Sequence, residues 1–147
     1  MNHASAWQSY KKVSTHTAPP GQLVLMLYDG ALRFLERALS AFENDDPLEF
    51  NQTINNNLLR AQNILHELNQ SLDIQQGGEL AMTLRRLYDY MDRRLTESNL
   101  KKVPDGITET IQRLTVLRNA WHEMLLGQGA ASQPEPGMQP AFLSTCV

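Results

Sequence analysis

The sequence lacks most of the features that would assign it a chemistry. It has one cysteine, Cys146, so it makes no internal disulfide and no cysteine-rich metal site. It has no strong charge of one sign: the net charge of −3 gives no global basic field for nucleic acid. No apolar run approaches the roughly 20 residues of a membrane-spanning helix. The opening MNHASAWQSYKK is polar and has no apolar centre, unlike a secretory signal. No stretch alternates with period two between turn signals, so no sheet is expected. What remains is a single domain of 147 residues, long enough to bury a core without staples. A soluble cytoplasmic location is the expectation.

What is present is helical periodicity, cut by clear breakers. Pro19-Pro20-Gly21, Asn44-Asp45-Asp46-Pro47, Gln75-Gln76-Gly77-Gly78 and Val103-Pro104-Asp105-Gly106 precede four long segments. Asp46 or Asp45 is a candidate cap for the second segment, with Pro47 in its first turn, and Asp105 for the fourth. The second carries a stripe of Ile54, Leu58, Ala61, Leu65, Leu68 and Leu72. The third carries Leu84, Tyr88, Met91 and Leu95. The fourth carries Ile107, Ile111, Leu114, Leu117, Trp121 and Met124. These are the periods of a bundle core. Short connections make neighbours antiparallel, so the expected fold is an all-α, antiparallel up-down four-helix bundle. Its expected divisions are an N-terminal arm (1–18), the bundle (19–126) and a tail (127–147). From Gly127 the chain is rich in Gly, Gln, Ala, Ser and Pro, and it reads as disordered. The final residues, 142–147, read either as that disordered end or as a weak docking strand.

The first segment has more apolar surface than a core helix needs. Val24, Tyr28, Ala31, Leu35, Ala38 and Phe42 form a central stripe. Leu23, Leu27 and Phe34 flank it on one side; Leu25, Leu32 and Leu39 flank it on the other. The arc is about 200° wide, roughly double the minimum for one buried face. Either the helix packs on two neighbours, or part of the arc is a groove for another chain. Leu59, Met82, Tyr90, Leu100 and Val116 also fall outside the main stripes. In the arm, Trp7, Tyr10 and Val13 recur every third residue, as in a short amphipathic helix too brief to stand alone; the alternative is a frayed terminus. LYDG at Leu27–Gly30 recurs as LYDY at Leu87–Tyr90, which reads as shared helix chemistry and not duplication, because the flanks do not repeat.

The motifs of catalysis fail one by one. Di-iron bundles use Glu-x-x-His, but Asn63 precedes His66 and Asn119 precedes His122 at that spacing. Neither histidine is followed by the lysine and glycine of a phosphotransfer bundle. No glycine-rich phosphate loop or nucleophile motif occurs, and Cys146 is misplaced for prenylation. No metal or cofactor is expected. On the third segment, Asp89 lies four from Arg85 and Arg93, and Glu97 lies four from Arg93 and Lys101; these read as exposed helix pairs. A binding protein, not an enzyme, is the expectation.

Two long motifs then carry a resemblance. Tyr10, Val13 and Thr17-Ala18, followed by Leu23-Val24-Leu25-Met26-Leu27-Tyr28-Asp29-Gly30-Ala31, resemble the start of the FliS family of flagellin-specific export chaperones. GGELAMTLRRLYDYMDRRLTESNLKK (Gly77 to Lys102), with Ser71-Leu72-Asp73 before it, resembles that family's third helix, and LRNAWHEML (Leu117 to Leu125) its closing helix. The likeness runs from about Tyr10 to Leu126. Pro19 stands where the family usually has serine, so a side-chain cap for the first helix is lost.

The resemblance implies a cytoplasmic four-helix bundle that binds the disordered C-terminal segment of flagellin. Binding would prevent premature polymerisation and aid delivery to the flagellar type III export apparatus. An anti-sigma factor and export components are implied as further partners. Leu25, Leu32 and Tyr90 are then the candidate client groove, with Trp7, Tyr10 and Val13 as a lid. The competing reading is a scaffolding or regulatory bundle that binds another amphipathic helix, such as an anti-sigma factor.

Overall fold

The computed structural model describes residues 20–130, and the Trp7, Tyr10 and Val13 arm lies outside them. Four α-helices follow one another: α1 (Pro20–Ser40), α2 (Pro47–Gln70), α3 (Ile74–Lys101) and α4 (Asp105–Ala130), with a 3-10 turn at Ala41–Glu43 after α1. No strand occurs among the described residues.

Local chemistry sets the boundaries. α1 opens on Pro20, whose missing N–H costs nothing in a first turn. Asp46 caps α2: its Oδ1 accepts from the backbone N–H of Leu48 at 2.9 Å and of Glu49 at 3.4 Å, with Pro47 as the first helical residue. Asp73 caps α3 in the same way, accepting from Gln75 and Gln76 at 3.1 Å each. α3 therefore starts before Gln75-Gln76-Gly77-Gly78 and not after it. The expected break survives as a kink, because Gly78 adopts φ 55°, ψ −131°, a conformation that side chains resist.

Asp105 does not cap α4 but is its first residue. The N–H of Gly106 is taken by the Ser98 hydroxyl at 2.9 Å, which removes the need for that cap. α4 also runs on to Ala130, past the expected end at Gly127.

Each helix packs on its two neighbours in a square, α1 to α2, α2 to α3, α3 to α4 and α4 back to α1. Neighbours are antiparallel: Gly30 near the middle of α1 meets Ile64 of α2, and Phe42 beyond α1 meets Phe50 near the start of α2 edge-on at 5.4 Å. The α2 stripe from Ile54 to Leu72 is buried throughout, as are Leu84, Tyr88, Met91 and Leu95 of α3. On α4, Ile107, Leu114 and Trp121 are buried, while Ile111, Leu117 and Met124 are half-buried against the core. The wide arc of α1 is mostly internal. Leu23, Val24, Leu25, Leu27, Tyr28, Ala31, Leu35 and Ala38 are all buried, because α1 is flanked by both α2 and α4.

The two LYD echoes meet in the centre. The hydroxyls of Tyr28 on α1 and Tyr88 on α3 lie 2.6 Å apart across the diagonal of the bundle. Each phenol thereby gives the other a hydrogen-bonding partner in an apolar core, where an unmade bond is costly.

Two glycines permit close approach. A Cβ on Gly30 would lie 3.3 Å from Ile64 Cδ1, so this residue serves internal packing between α1 and α2. A Cβ on Gly106 would lie 2.4 Å from the carbonyl oxygen of Arg94, inside the backbone of α3.

Candidate functional site

The proposed groove residues do not converge on one surface. They fall on the two seams that flank α4. Leu25 and Leu32 lie on the side of α1 that carries Asp29, which meets Arg118 of α4; Tyr90 of α3 lies against α4 from the other side.

The α1–α4 seam is apolar with one charged clasp. Leu25 is buried at 8% exposure and belongs to the core, so it offers little surface in this conformation. Leu32 and Leu39 are half-buried beside it. Arg118 Nε donates to Asp29 Oδ1 at 2.8 Å, with both side chains partly in solvent. Nearer the end of α4, the indole N–H of Trp121 donates to the Gly21 carbonyl at 2.8 Å.

The α3–α4 seam is polar in its upper half. Glu109 gathers three donors: the Tyr90 hydroxyl at 2.7 Å, Arg94 Nε at 2.9 Å and Arg113 Nε at 2.9 Å. The Arg113 guanidinium also sits over the Tyr90 ring, 5.2 Å from its centroid. The hydrogen bonds from Tyr90, Arg94 and Arg113 pull the Glu109 carboxyl down to about 2. The same carboxylate raises the Tyr90 phenol above its ordinary value, chiefly through their hydrogen bond, and raises Arg94 likewise. Tyr90 is thus a half-buried ring whose hydroxyl is engaged, with one face under a cation.

This cluster is the feature that sequence reasoning missed. Sequence spacing paired Glu97 with Arg93 and Lys101, and Asp89 with Arg85 and Arg93. In the structure Glu97 pairs with Arg94 at 3.1 Å and with Lys101 at 3.8 Å. Arg93 makes no ion pair among the described residues. Asp89 accepts from the Asn69 amide of α2 at 2.9 Å, and Arg85 Nε donates to that side chain's oxygen at 3.2 Å. The reason is geometric: Arg94 faces α4, so a carboxylate on another helix outcompetes local spacing. The available signal was the pair of arginines itself, since only one of Arg93 and Arg94 can face outward.

Other polar features have structural roles. His66 is exposed, with Nε2 3.2 Å from Asp92 Oδ1, and His122 is half-buried. Among the described residues no group of His, Cys, Asp or Glu is arranged to hold a metal ion. An open cavity of about 680 Å³ lies between α1 and α2, lined by Arg33, Glu36, Arg37, Glu43 and Asn57 among others. Its mixed charges select no one ligand class, and it lies apart from both seams. Of the apolar residues expected outside the stripes, Leu59, Leu100 and Val116 are exposed, whereas Met82 and Tyr90 are half-buried. No described helix is long and apolar enough to cross a membrane.

Comparison with known proteins supplies what the geometry leaves open. The model of a family described as "Flagellar protein FliS" matches residues 2–128. The flagellar secretion chaperone FliS of Bacillus subtilis (strain 168) is 40% identical over 119 residues, covering 81% of this chain and 85% of the relative. The protein of the same name from Salmonella typhimurium is 36% identical over 129 residues, covering 84% and 93%. That of Escherichia coli (strain K12) is 34% identical over 139 residues, covering 91% and 99%.

Proposed function

The chain belongs to the FliS family, and from that premise we propose that it is a cytoplasmic export chaperone for flagellin. Its relatives are named as flagellar secretion chaperones, and the role is not enzymatic. The client is the disordered C-terminal segment of flagellin, held as an amphipathic helix so that it neither polymerises nor aggregates before delivery to the export apparatus.

The observation that carries this reading is the half-buried apolar surface on both sides of α4. Leu32 and Leu39 lie on one seam; Leu87, Tyr90 and Leu117 lie on the other. An amphipathic helix laid in such a seam completes its burial. The client gives up roughly 2–5 kcal/mol in ordering. A few fully buried side chains, each contributing about 1.5–3 kcal/mol, offset that cost. Leu25 joins the contact only when the α1–α4 seam loosens, since it is covered in this conformation. Trp7, Tyr10 and Val13 are assigned to a lid over this surface. If lid-off molecules are a fraction of the population, the apparent Kd rises as the inverse of that fraction.

Calorimetric titration with full-length monomeric flagellin, and with flagellin lacking its C-terminal segment, tests the reading. Tight one-to-one binding that is lost on truncation is expected. Failure to bind either form overturns it and leaves a bundle for another partner. Tyr10→Ala tests the lid: flagellin affinity changes while the helical melt stays nearly constant, and an equal loss of both removes the lid assignment.

A further inference from the structure

The lower half of the α3–α4 seam differs from the upper half. The charged cluster ends at Tyr90 and Arg113. The pairings of Ser98 with Gly106 and of Arg94 with Glu109 fix the antiparallel register. Continued downward, that register sets Leu87 level with Val116, Thr83 level with Ala120, and Leu80 level with Met124. Leu80 is 49% exposed and Val116 is 69% exposed. Thr83 and Ala120 are exposed and small, so they form a hollow between larger apolar neighbours. None of these six residues is charged. The hollow opens towards the end of α4, where an added side chain at Gly127 would meet nothing within 4 Å.

The chain itself continues from that end. After Ala130 come residues 131–147, ASQPEPGMQPAFLSTCV, whose one charged side chain is Glu135. Pro134, Pro136 and Pro140 oppose a helix, while Phe142 and Leu143 form an apolar pair. Phe142 stands about a dozen residues beyond Ala130, a reach of roughly 40 Å when extended. The level of Thr83 and Ala120 lies about 15 Å back along α4, at 1.5 Å per residue.

We propose that this C-terminal segment turns back along α4 and seats Phe142 and Leu143 in the α3–α4 hollow. The size of the hollow favours a tethered occupant over a free one. A separate partner needs an interface of about 1,200 Å² or more, and six side chains provide far less. A tethered segment works at a millimolar effective concentration, so an intrinsic affinity of that order suffices. The match is apolar to apolar, with almost no charge on either side. This inference goes beyond the client reading and does not depend on it.

The test uses the full chain and its native thiol. Val116→Cys places a second thiol beside the hollow; Leu59→Cys places one on exposed α2, away from the α3–α4 seam. Under mild oxidation of dilute protein, the intramolecular disulfide with Cys146 should form about tenfold faster in Val116→Cys, as docking raises the local concentration. Adding Phe142→Ser and Leu143→Ser should bring it down to the Leu59→Cys rate. Helical melts confirm that each variant is folded. Equal rates in the two cysteine variants, or indifference to the serine substitutions, overturn the proposal. A disulfide that forms only between chains assigns the hollow to a second copy and overturns it too.

Discussion

The two seams beside α4 are closed by different means. Against α3, α4 makes backbone contact at Gly106, and Glu109 gathers Tyr90, Arg94 and Arg113. Against α1, it relies on apolar packing, the Asp29–Arg118 bond and the Trp121–Gly21 bond. One seam is locked at its upper end by contacts that leave no room. The other is held by contacts that side chains can release. A bundle that must expose apolar surface on demand needs one edge that yields and one that does not. The comparison therefore assigns α3–α4 as the fixed edge and α1–α4 as the opening edge.

Gly106→Ala strikes the fixed edge and has the largest expected effect. Its new Cβ would fall 2.4 Å from the Arg94 carbonyl oxygen and 2.6 Å from Ser98 Oγ. The backbone cannot retreat as a side chain can, so the helices must separate. A loss of about 3 kcal/mol is expected, at the upper end of overpacking costs, and it appears as a clear drop in thermal midpoint. A melt that matches the parent would show the α3–α4 junction to be looser than drawn.

Gly30→Leu asks what α1 is anchored to. The Cβ position is already 3.3 Å from Ile64 Cδ1 of α2, so a leucine there overpacks α1 against α2 by about 2 kcal/mol. If α1 stays with α2 while the α1–α4 seam opens, this variant loses thermal stability in proportion to any loss of flagellin affinity. Unchanged melting with affinity alone reduced would place the client, and not Ile64, against Gly30. Gly30→Ala should be far milder, because the tip of Ile64 can move and alanine favours the helix by about 1 kcal/mol.

The Glu109 cluster gives the fixed edge a pH signature. The carboxyl is depressed to about 2 in the folded chain. A depressed carboxylate stabilises above its unfolded value, near 4.5, and that contribution is lost as pH falls towards 2. Glu109→Gln should therefore melt below the parent at neutral pH, and the gap should close between pH 4.5 and 2. Parallel melts across that range check it. A gap that persists at pH 2 would mean that shape and not charge holds the seam.

The residues explain why so much of the bundle was legible in advance and why the site was not. The stripes of α2 and α3 obey a strict period, and period decides which side is buried. Asp46 and Pro47 announce a helix start through short-range chemistry. Asp105 misled because the hydroxyl that replaces it, Ser98, lies on another helix. Arg94 misled in the same way: its partner Glu109 is distant in sequence, so i, i+4 counting chose the wrong carboxylates. Leu25 and Leu32 share a face of α1, yet one is covered and the other half-covered. That difference depends on where α4 runs, which no periodicity within α1 contains. The meeting of Tyr28 and Tyr88 was signalled by the repeated LYD, but only the folded diagonal gives the repeat a meaning.

The smallest expected change tests the opening edge itself. Asp29→Asn keeps the shape of the clasp and removes one charge from its bond to Arg118. With these side chains 37% and 29% exposed, screening limits the loss in stability to about 0.5 kcal/mol. If opening of the α1–α4 seam precedes client binding, the same 0.5 kcal/mol reappears as an affinity gain of about twofold. The variant should thus melt nearly like the parent yet bind flagellin more tightly in calorimetry. Tighter binding from Glu109→Gln and none from Asp29→Asn would reverse the assignment of the two edges. A weaker complex from Asp29→Asn would make the carboxylate itself a client contact, because loosening alone cannot reduce affinity for a state that must open.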